Sequence, residues 1–366
     1  MFFSKEEIIE GFKFQAEICS RTSDLYGDML DYFSKNDEIV TLVSKISKKT
    51  NFLNRIELIA LFPAFFHYEC LANNKDFQEI KKFFKTQNGN YNTQENRNEL
   101  EKEIDKIVSL YPDKIENWLI LRKLQTNETN RACVLFPAIS SLNSEKITLV
   151  ELGCSAGLLL MQDKFNYNFF SNNQEKYLIK NNESDFFLNC KISNPKSLEK
   201  YLNKKLNIVQ KIGLDLNPLN IFDENELNFL KSSIWDDEQR IFNINFAVQL
   251  MEENKNFELI KNSYLEDLTK ILTIKDNDSD IVFYTSASTY QIDDEMYNKL
   301  LNNLKDFASI QHKKVYFIEF EDVRKDEIKK TNKENLYHVS IRDFNNKQYY
   351  QFSMCHFHGK SMELMV

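Results

Sequence analysis

From Lys146 onward the chain alternates short apolar runs with amphipathic ones, and that order constrains the fold more than any single motif. The runs "ITLVEL", "NIVQKIGLD", "FELIKN", "DIVFYTS" and "KVYFIEF" have strand length and strand composition. Between them, Ile241, Ile244, Val248 and Met251 recur at helical spacing, as do Met296, Leu300, Leu304 and Phe307. Strands separated by helical crossovers predict a parallel α/β sheet. The chain then changes character: "LYHVSIRDF" and "KQYYQFSMCHF" flank Asn345-Asn346. Asparagine tolerates the positive φ of a tight turn, so this pair predicts an antiparallel hairpin at the sheet edge.

The first third reads differently. Ile8, Phe12, Ala16 and Cys19 share one helical face, as do Leu100, Ile104, Ile107 and Tyr111. Pro63 in "RIELIALFPAFFHYECL" predicts a kink or a restarted helix. No strand is expected before residue 146, and the polar stretch 85–98 around Gly89 reads as an exposed loop. The expected division is a helical cap over residues 1–124 and an α/β domain over 125–366.

Length and charge bound the function. A chain of 366 residues buries a sizeable core without staples. Its formal charge of −8 and its scattered lysines argue against a surface that tracks phosphates, so no nucleic-acid partner is expected. The apolar run 58–66 is too short to span a bilayer and the N-terminus turns acidic at once, so neither a membrane span nor a signal peptide is expected. Six dispersed cysteines without a C-x-x-C pair read as reduced and buried, and the location expected is the cytoplasm.

The segment "VELGCSAGLLL" (150–160) carries the first chemistry. Read as the loop after the first Rossmann strand, Glu151 ends the strand, Gly153 makes the tight turn, Ser155 need only be small, and Gly157 lets the next helix approach. Asp215, at the end of the second strand in "IGLDLNPL", is placed to accept hydrogen bonds from ribose hydroxyls. An acidic turn cap is the alternative of equal weight. The separation of Glu151 and Asp215 far exceeds the roughly 20 residues of a minimal fingerprint, so the polar stretch 171–205 must hold an insertion. The same glycines also fit a G-x-S-x-G nucleophile elbow, with Ser155 as nucleophile, Asp280 or Glu319 as acid, and His356 or His358 last in chain order. No oxyanion segment precedes Ser155, and the chain before that strand is helical.

The C-terminal hairpin resembles the way class I S-adenosylmethionine-dependent methyltransferases end. A closer resemblance rests on "SDLY" (23–26), "QTNETNRA" (125–132), "VELGCSAGLLLMQDKFNY" (150–167), "GLDLNPLNIFD" (213–223), "IWDDEQRI" (234–241) and "CHFHGKSMEL" (355–364). In this order the blocks resemble the uncharacterised prokaryotic domain-of-unknown-function family twenty-three thirty-two, whose core is methyltransferase-like. The resemblance implies a Rossmann-like fold under a helical N-terminal region and the insertion before Asp215, and the methyltransferase-like reading of the loop takes S-adenosylmethionine as the cofactor. It implies no particular reaction. Two blocks depart from it: Tyr284-Thr285 stand where a His-Ser pair is expected, and Trp235-Asp236-Asp237-Glu238 where Trp-Pro-Asp-Gln is usual.

The remaining candidates follow from position. "FYTSASTYQ" puts Tyr284, Thr285, Ser286 and Tyr290 after the fourth strand, where a substrate oxygen or nitrogen would be oriented; capping of the next helix, which Asp293 and Asp294 favour, is the plainer role. "CHFHG", read as strand, sends His356 and His358 to one face, from which one of them could reach the substrate; a hydrogen-bonded sheet histidine is the plainer role. No metal is expected, since neither H-E-x-x-H nor paired cysteines occur. Arg131 and Glu128 would close over the cofactor's carboxylate and ammonium, or form a surface ion pair. The leading expectation is a methyltransferase that holds its cofactor with Glu151, Gly153, Ser155, Gly157, Asp215 and Arg131, and acts on a small molecule or protein side chain through Tyr284, Thr285, Tyr290 and His358. A Rossmann module that binds a nucleoside without chemistry is second, and the serine hydrolase third.

Overall fold

The computed structural model describes residues 3–49, 55–125, 127–203, 205–322 and 337–365. The chain divides into two compact units. One comprises Met1–Thr126 with Asn220–Phe242, and the other Asn127–Leu219 with Asn243–Val366. A single cut near residue 125 therefore misses one feature: residues 220–242 leave the second unit and join the first.

The first unit is helical: α1 (Lys5–Cys19), α2 (Asp24–Lys35), α3 (Asp37–Ser47), α4 (Arg55–Leu71), α5 (Gln78–Lys81), α6 (Thr93–Leu110) and α7 (Pro112–Leu121). The starts are written in side chains. Ser4 caps α1 in a reciprocal capping box with Glu7, and Asn36 accepts from two amides at the start of α3. The expected faces are buried at Ile8, Phe12, Cys19, Leu100, Ile104 and Ile107. Of the two outcomes expected at Pro63 the restart is not seen, and the loop expected over 85–98 is shorter. α4 runs through Pro63 without restarting, since it is buried along nearly its whole length and tertiary packing outweighs one missing N–H. Residues 93–98 are helix instead of loop, because Asn92, three residues after Gly89, caps α6.

The second unit holds α8 (Ala132–Ser141), β1 (Ile147–Leu152), β2 (Tyr167–Phe170), β3 (Lys176–Ile179), β4 (Leu188–Ile192), α9 (Glu199–Leu202) and β5 (Ile208–Asp215). The chain then visits the first unit through α10 (Glu224–Ser232), and α11 (Glu238–Glu253) crosses the division. It continues with β6 (Glu258–Lys261), α12 (Leu268–Ile271), β7 (Asp280–Ser286), α13 (Asp294–Ser309), β8 (Val315–Asp322), β9 (Tyr337–Asp343), β10 (Gln348–Cys355) and β11 (Ser361–Leu364). All strands form one mixed sheet, ordered β3-β2-β4-β11-β10-β9-β8-β7-β1-β5-β6. The block β6-β5-β1-β7-β8 is parallel throughout.

One face of that block, at Val150, Leu152, Ile212, Leu214, Phe283 and Phe317, packs with Leu300, Leu304 and Phe307 of α13. Each such side chain contributes about 1.5–3 kcal/mol by leaving water. Asp293 caps α13 through the amide of Met296, as its charge predicts.

The expected hairpin exists as β9 and β10, but it is not at the edge. β11 and the strands supplied by the 171–205 insertion and its approach extend the sheet beyond it. The positive φ in its turn falls on Lys347 (54°) and not on the asparagines, because Asp343 accepts the amides of Asn345 and Asn346 and holds them in a tight turn.

All six thiols are buried, and burial raises each pKa, that of Cys19 to about 12. Since the thiolate is the reactive form, Ellman's reagent at neutral pH is expected to label no cysteine in the native protein and six in denaturant. Rapid labelling of any one would contradict the packing around it.

Candidate functional site at the strand ends

The parallel block repeats the doubly wound order: the chain moves outward from β1 through β5 to β6, then returns to the other side for β7 and β8. The reversal lies between β1 and β7, and ligands of open α/β sheets bind outside the carboxyl ends of the strands at such a point. The loop 153–157 leaves β1 there with three left-handed residues: Gly153 (φ 77°), Ser155 (51°) and Gly157 (71°). The amides of Gly153 and Cys154 both donate to the Leu214 carbonyl at 2.8 and 3.0 Å, which fastens the loop to β5.

No α-helix follows. After Gly157 comes a single 3-10 turn, Leu158–Met161, with every residue buried. Asp163 then pairs with buried Lys211 of β5 at 2.5 Å, and the chain departs for β2 on the far side of the sheet. So short a segment, buried all round, has neither the length nor the polar face for an amphipathic helix. Gly157 therefore serves another contact than the one expected: a Cβ on it would lie 2.8 Å from Leu259 Cδ2 of β6.

Asp215 acts as a turn cap and as a tie. Its Oδ1 accepts the amide of Asn217 and its Oδ2 the amide of Ser155, each at 2.8 Å. Ser155 is drawn further to that side by its carbonyl, which accepts the Leu219 amide. A carboxylate offers about four lone-pair sites, so Asp215 retains capacity for a hydroxyl donor.

On the other side of the reversal stands the loop after β7. Glu321 of β8 is buried, and its carboxylate accepts the amides of Ser288 and Thr289 at 3.0 Å and of Tyr290 at 3.3 Å. Burial raises its pKa, and those amides oppose the rise. Ser288, so held, rests on Gly153: a Cβ there would meet Ser288 Oγ at 2.2 Å. Its hydroxyl also donates to Tyr264.

The expected substrate-facing side chains are not brought together. Glu151 and Tyr284 are register partners on β1 and β7, wholly buried on one face of the sheet. Burial pushes the Glu151 carboxyl well above its usual range, against the opposing influence of the Tyr284 hydroxyl beside it. Thr285 points by strand alternation to the opposite face, where its partner on β8 is Glu319, whose carboxylate accepts the Tyr297 hydroxyl of α13. Tyr290 is 55 % exposed.

"CHFHG" is not strand. β10 ends at Cys355, and residues 356–359 form a turn closed by the Gly359 amide on the His356 carbonyl at 2.7 Å, so the argument from alternate faces falls. That turn is clasped by residues 127–131. Asn130 Nδ2 donates to the Gly359 carbonyl, Arg131 Nε to that of Phe357 and Arg131 Nη1 to that of Ser286. Asn127 reaches the Cys154 carbonyl at 2.9 Å. Glu128 and Arg131 are thus buried and do not form a surface ion pair. Oε2 of Glu128 instead lies 3.1 Å from Nδ1 of His358, off the line of a hydrogen bond.

Neither acid of the hydrolase reading is placed beside Ser155. Asp280 begins β7, at the end of the sheet opposite Ser155, and Glu319 lies on the α13 face. Ser155 is tied to β5 while the 356–359 turn is tied to the end of β7. Sequence reasoning missed Glu321, Ser288, Tyr264 and Asn127. Asn127 and Ser288 lay inside segments already singled out, and Glu321 directly after an apolar strand; the Glu128–His358 contact joins residues too distant in sequence to leave a signal.

A family model matches residues 10–364. The chain belongs to the family described as "Uncharacterized protein conserved in bacteria (DUF2332)". No curated protein matches it. Within this DUF2332 chain the blocks that carried the resemblance sort into two places. "SDLY" and "IWDDEQRI" meet in the helical unit, where the Tyr26 and Trp235 rings lie 5.7 Å apart. "VELGCSAG", the start of "GLDLNPL", the Asn127–Arg131 part of "QTNETNRA" and "CHFHG" gather at the strand ends of the other. Among the described residues no group of three or more His, Cys, Asp or Glu is arranged to hold a metal ion, and no helix is long and apolar enough to cross a membrane.

Proposed function

We propose that this DUF2332 protein binds S-adenosylmethionine at the reversal between β1 and β7 and transfers its methyl group to a small molecule or protein side chain. The observation that carries the reading is the parallel order β6-β5-β1-β7-β8, with a left-handed glycine loop at the end of β1 and Asp215 at the end of β5. Asp215 would accept from the ribose, and the loop 153–157 would follow the methionine portion by shape. The fit is selective. Without an α-helix after the loop there is no helix N-terminus to receive a pyrophosphate, which disfavours dinucleotides and nucleoside triphosphates but not a phosphate-free nucleoside. The cofactor would supply an activated methyl group. The protein's share is position, for which in-line transfer needs no strong base.

A second reading, nucleoside binding without chemistry, is favoured by the burial of Tyr284 and Thr285. His358, backed by Glu128, then remains as the candidate group with partial exposure, at 19 % of its side chain. Both readings are tested first by binding. S-adenosylhomocysteine at about a hundred times its dissociation constant is expected to stabilise the protein by roughly 2.7 kcal/mol, and NAD and ATP to leave the melting temperature unchanged. No shift at millimolar S-adenosyl compound would refute the methyltransferase reading and favour the second. A shift without methyl transfer to any acceptor would leave the second.

A further inference from the structure

We infer that Tyr264 is a bolt across the proposed cofactor site: its side chain lies over Gly153 and ends on Ser288, and a nucleoside ligand enters when that side chain swings away. The inference rests on the reading that the reversal between β1 and β7 binds such a ligand, and adds to it a control of entry.

The position of Tyr264 follows from its neighbours. β6 ends at Lys261, and the Asn262 amide still bonds the Asp215 carbonyl at 2.9 Å, so the chain approaches residue 264 from beside the end of β5. The next strand across the sheet is β1 and the one beyond it β7. The Tyr264 side chain reaches over both. A Cβ on Gly153, just past the end of β1, would stand 3.7 Å from Tyr264 Cε1. Ser288, in the loop after β7, donates its hydroxyl to the Tyr264 oxygen at 3.3 Å. Burial raises the pKa of the phenol, the Ser288 bond opposes the rise, and the Glu321 and Asp215 carboxylates add to it. Those carboxylates belong to the ends of β8 and β5, on the two flanks of the reversal, and the hydroxyl feels both.

The surface so covered is the one the proposed site needs open. A glycine at a turn out of a strand lets a ligand approach backbone where a Cβ would stand. At Gly153 that approach is taken up by Ser288 Oγ, 2.2 Å from the position of such a Cβ, and by the Tyr264 ring. Ser288 is fixed through its amide, which Glu321 accepts. Tyr264 is the member that can move. Its backbone is held on one side by the Asn262 bond and on the other by Asn303 of α13, whose Nδ2 donates to the Leu265 and Glu266 carbonyls at 2.9 Å each. Rotation of the side chain is the motion left. The residue is only partly buried against the core, and one neutral hydrogen bond fastens its tip. A bond of that kind is worth little net, so the bolt lowers apparent affinity by the fraction of time it is closed without sealing the site.

The test measures S-adenosylhomocysteine binding to the full chain by calorimetry. Tyr264→Phe and Ser288→Ala remove the same hydrogen bond from its two ends, and each is expected to tighten binding roughly three- to tenfold. Because the bond is shared, the double variant should bind no tighter than the better single one. Unchanged or weaker binding in either single variant would overturn the bolt, weaker binding by showing that the side chain belongs to the ligand's own contacts. A second measurement needs no ligand. In protein labelled with 3-fluorotyrosine, the Tyr264 resonance, assigned by its loss in Tyr264→Phe, should move toward the position of the free amino acid in Ser288→Ala. A resonance that stays in place would also overturn the bolt. If S-adenosylhomocysteine binds neither the wild type nor any variant, the cofactor reading fails, and the fluorine signal alone decides whether Tyr264 is held by Ser288.

Discussion

Gly153→Val is expected to destabilise the protein by roughly 2–5 kcal/mol and to abolish S-adenosylhomocysteine binding. A β-branched residue at φ 77° carries left-handed strain of about 1–2 kcal/mol. Its Cβ would in addition lie 2.2 Å from Ser288 Oγ and 2.8 Å from Ser288 Cβ. Ser288 cannot withdraw freely, because Glu321 holds its amide and those of the two residues after it, so overpacking adds about 1–3 kcal/mol. Ser155→Gly is the contrasting substitution. At φ 51° it relieves left-handed strain at the cost of a small buried side chain, so stability should change by no more than about 1 kcal/mol with binding intact. Denaturant titration and calorimetry of the two variants check both. Equal stability of Gly153→Val and wild type would mean that the β7 loop does not rest on Gly153.

Acid should destabilise the protein through His67 of the helical unit. The ring is fully buried and stacked on Phe84, its Nε2 2.7 Å from Thr86 Oγ1 and its Nδ1 3.3 Å from the Tyr26 hydroxyl. Thr86 gives its own proton to Asp236 at 2.9 Å. His67 must therefore donate from Nε2 and accept at Nδ1, the neutral tautomer. Burial lowers its pKa from 6.5 to about 3, against a smaller raising influence from the Ser232 backbone. A depressed histidine keeps its full contribution above the unfolded value near 6.5, and loses it as pH falls toward 3, since the unfolded chain then binds the proton first. At about 1.36 kcal/mol per pH unit, the loss reaches on the order of 4–5 kcal/mol at the acid end. His67→Phe keeps the stacking and removes the titration. Its stability, lower at pH 7 because the Tyr26 hydroxyl loses its acceptor, should fall less steeply than wild type between pH 6.5 and 4 in denaturant titrations. Parallel slopes would show that His67 titrates normally.

Glycine, aspartate and histidine were legible in this chain to different depths. Gly153 and Gly157 were readable as loop glycines because a turn out of a strand demands positive φ wherever it occurs. What each glycine makes room for was not, since Ser288 and Leu259 arrive from a loop and a strand far along the chain. Asp215 was readable as an acidic strand end with two roles. The structure displays the capping role through Ser155 and Asn217 and leaves lone pairs for the other. His358 was singled out on a strand that is in fact a turn, and its neighbour Glu128 was read with Arg131 as closing over the cofactor or as a surface ion pair.

The sequence by itself determined the helical first third, all five parallel strands of the central block, the C-terminal hairpin, the insertion before Asp215 and the family. Those follow from periodicity, composition and ordered blocks, which are local or additive properties of the chain. Tertiary structure alone decided that the insertion extends the sheet past the hairpin, that residues 220–242 belong with the helical unit, and that β1 is followed by a buried 3-10 turn instead of a helix. It also decided that Tyr284 and Thr285 face opposite ways into the core and that Glu321 holds the β7 loop. Each of these depends on which distant segment fills the space beside a residue. Strand pairing and burial settle that over the whole chain, and no local window contains it.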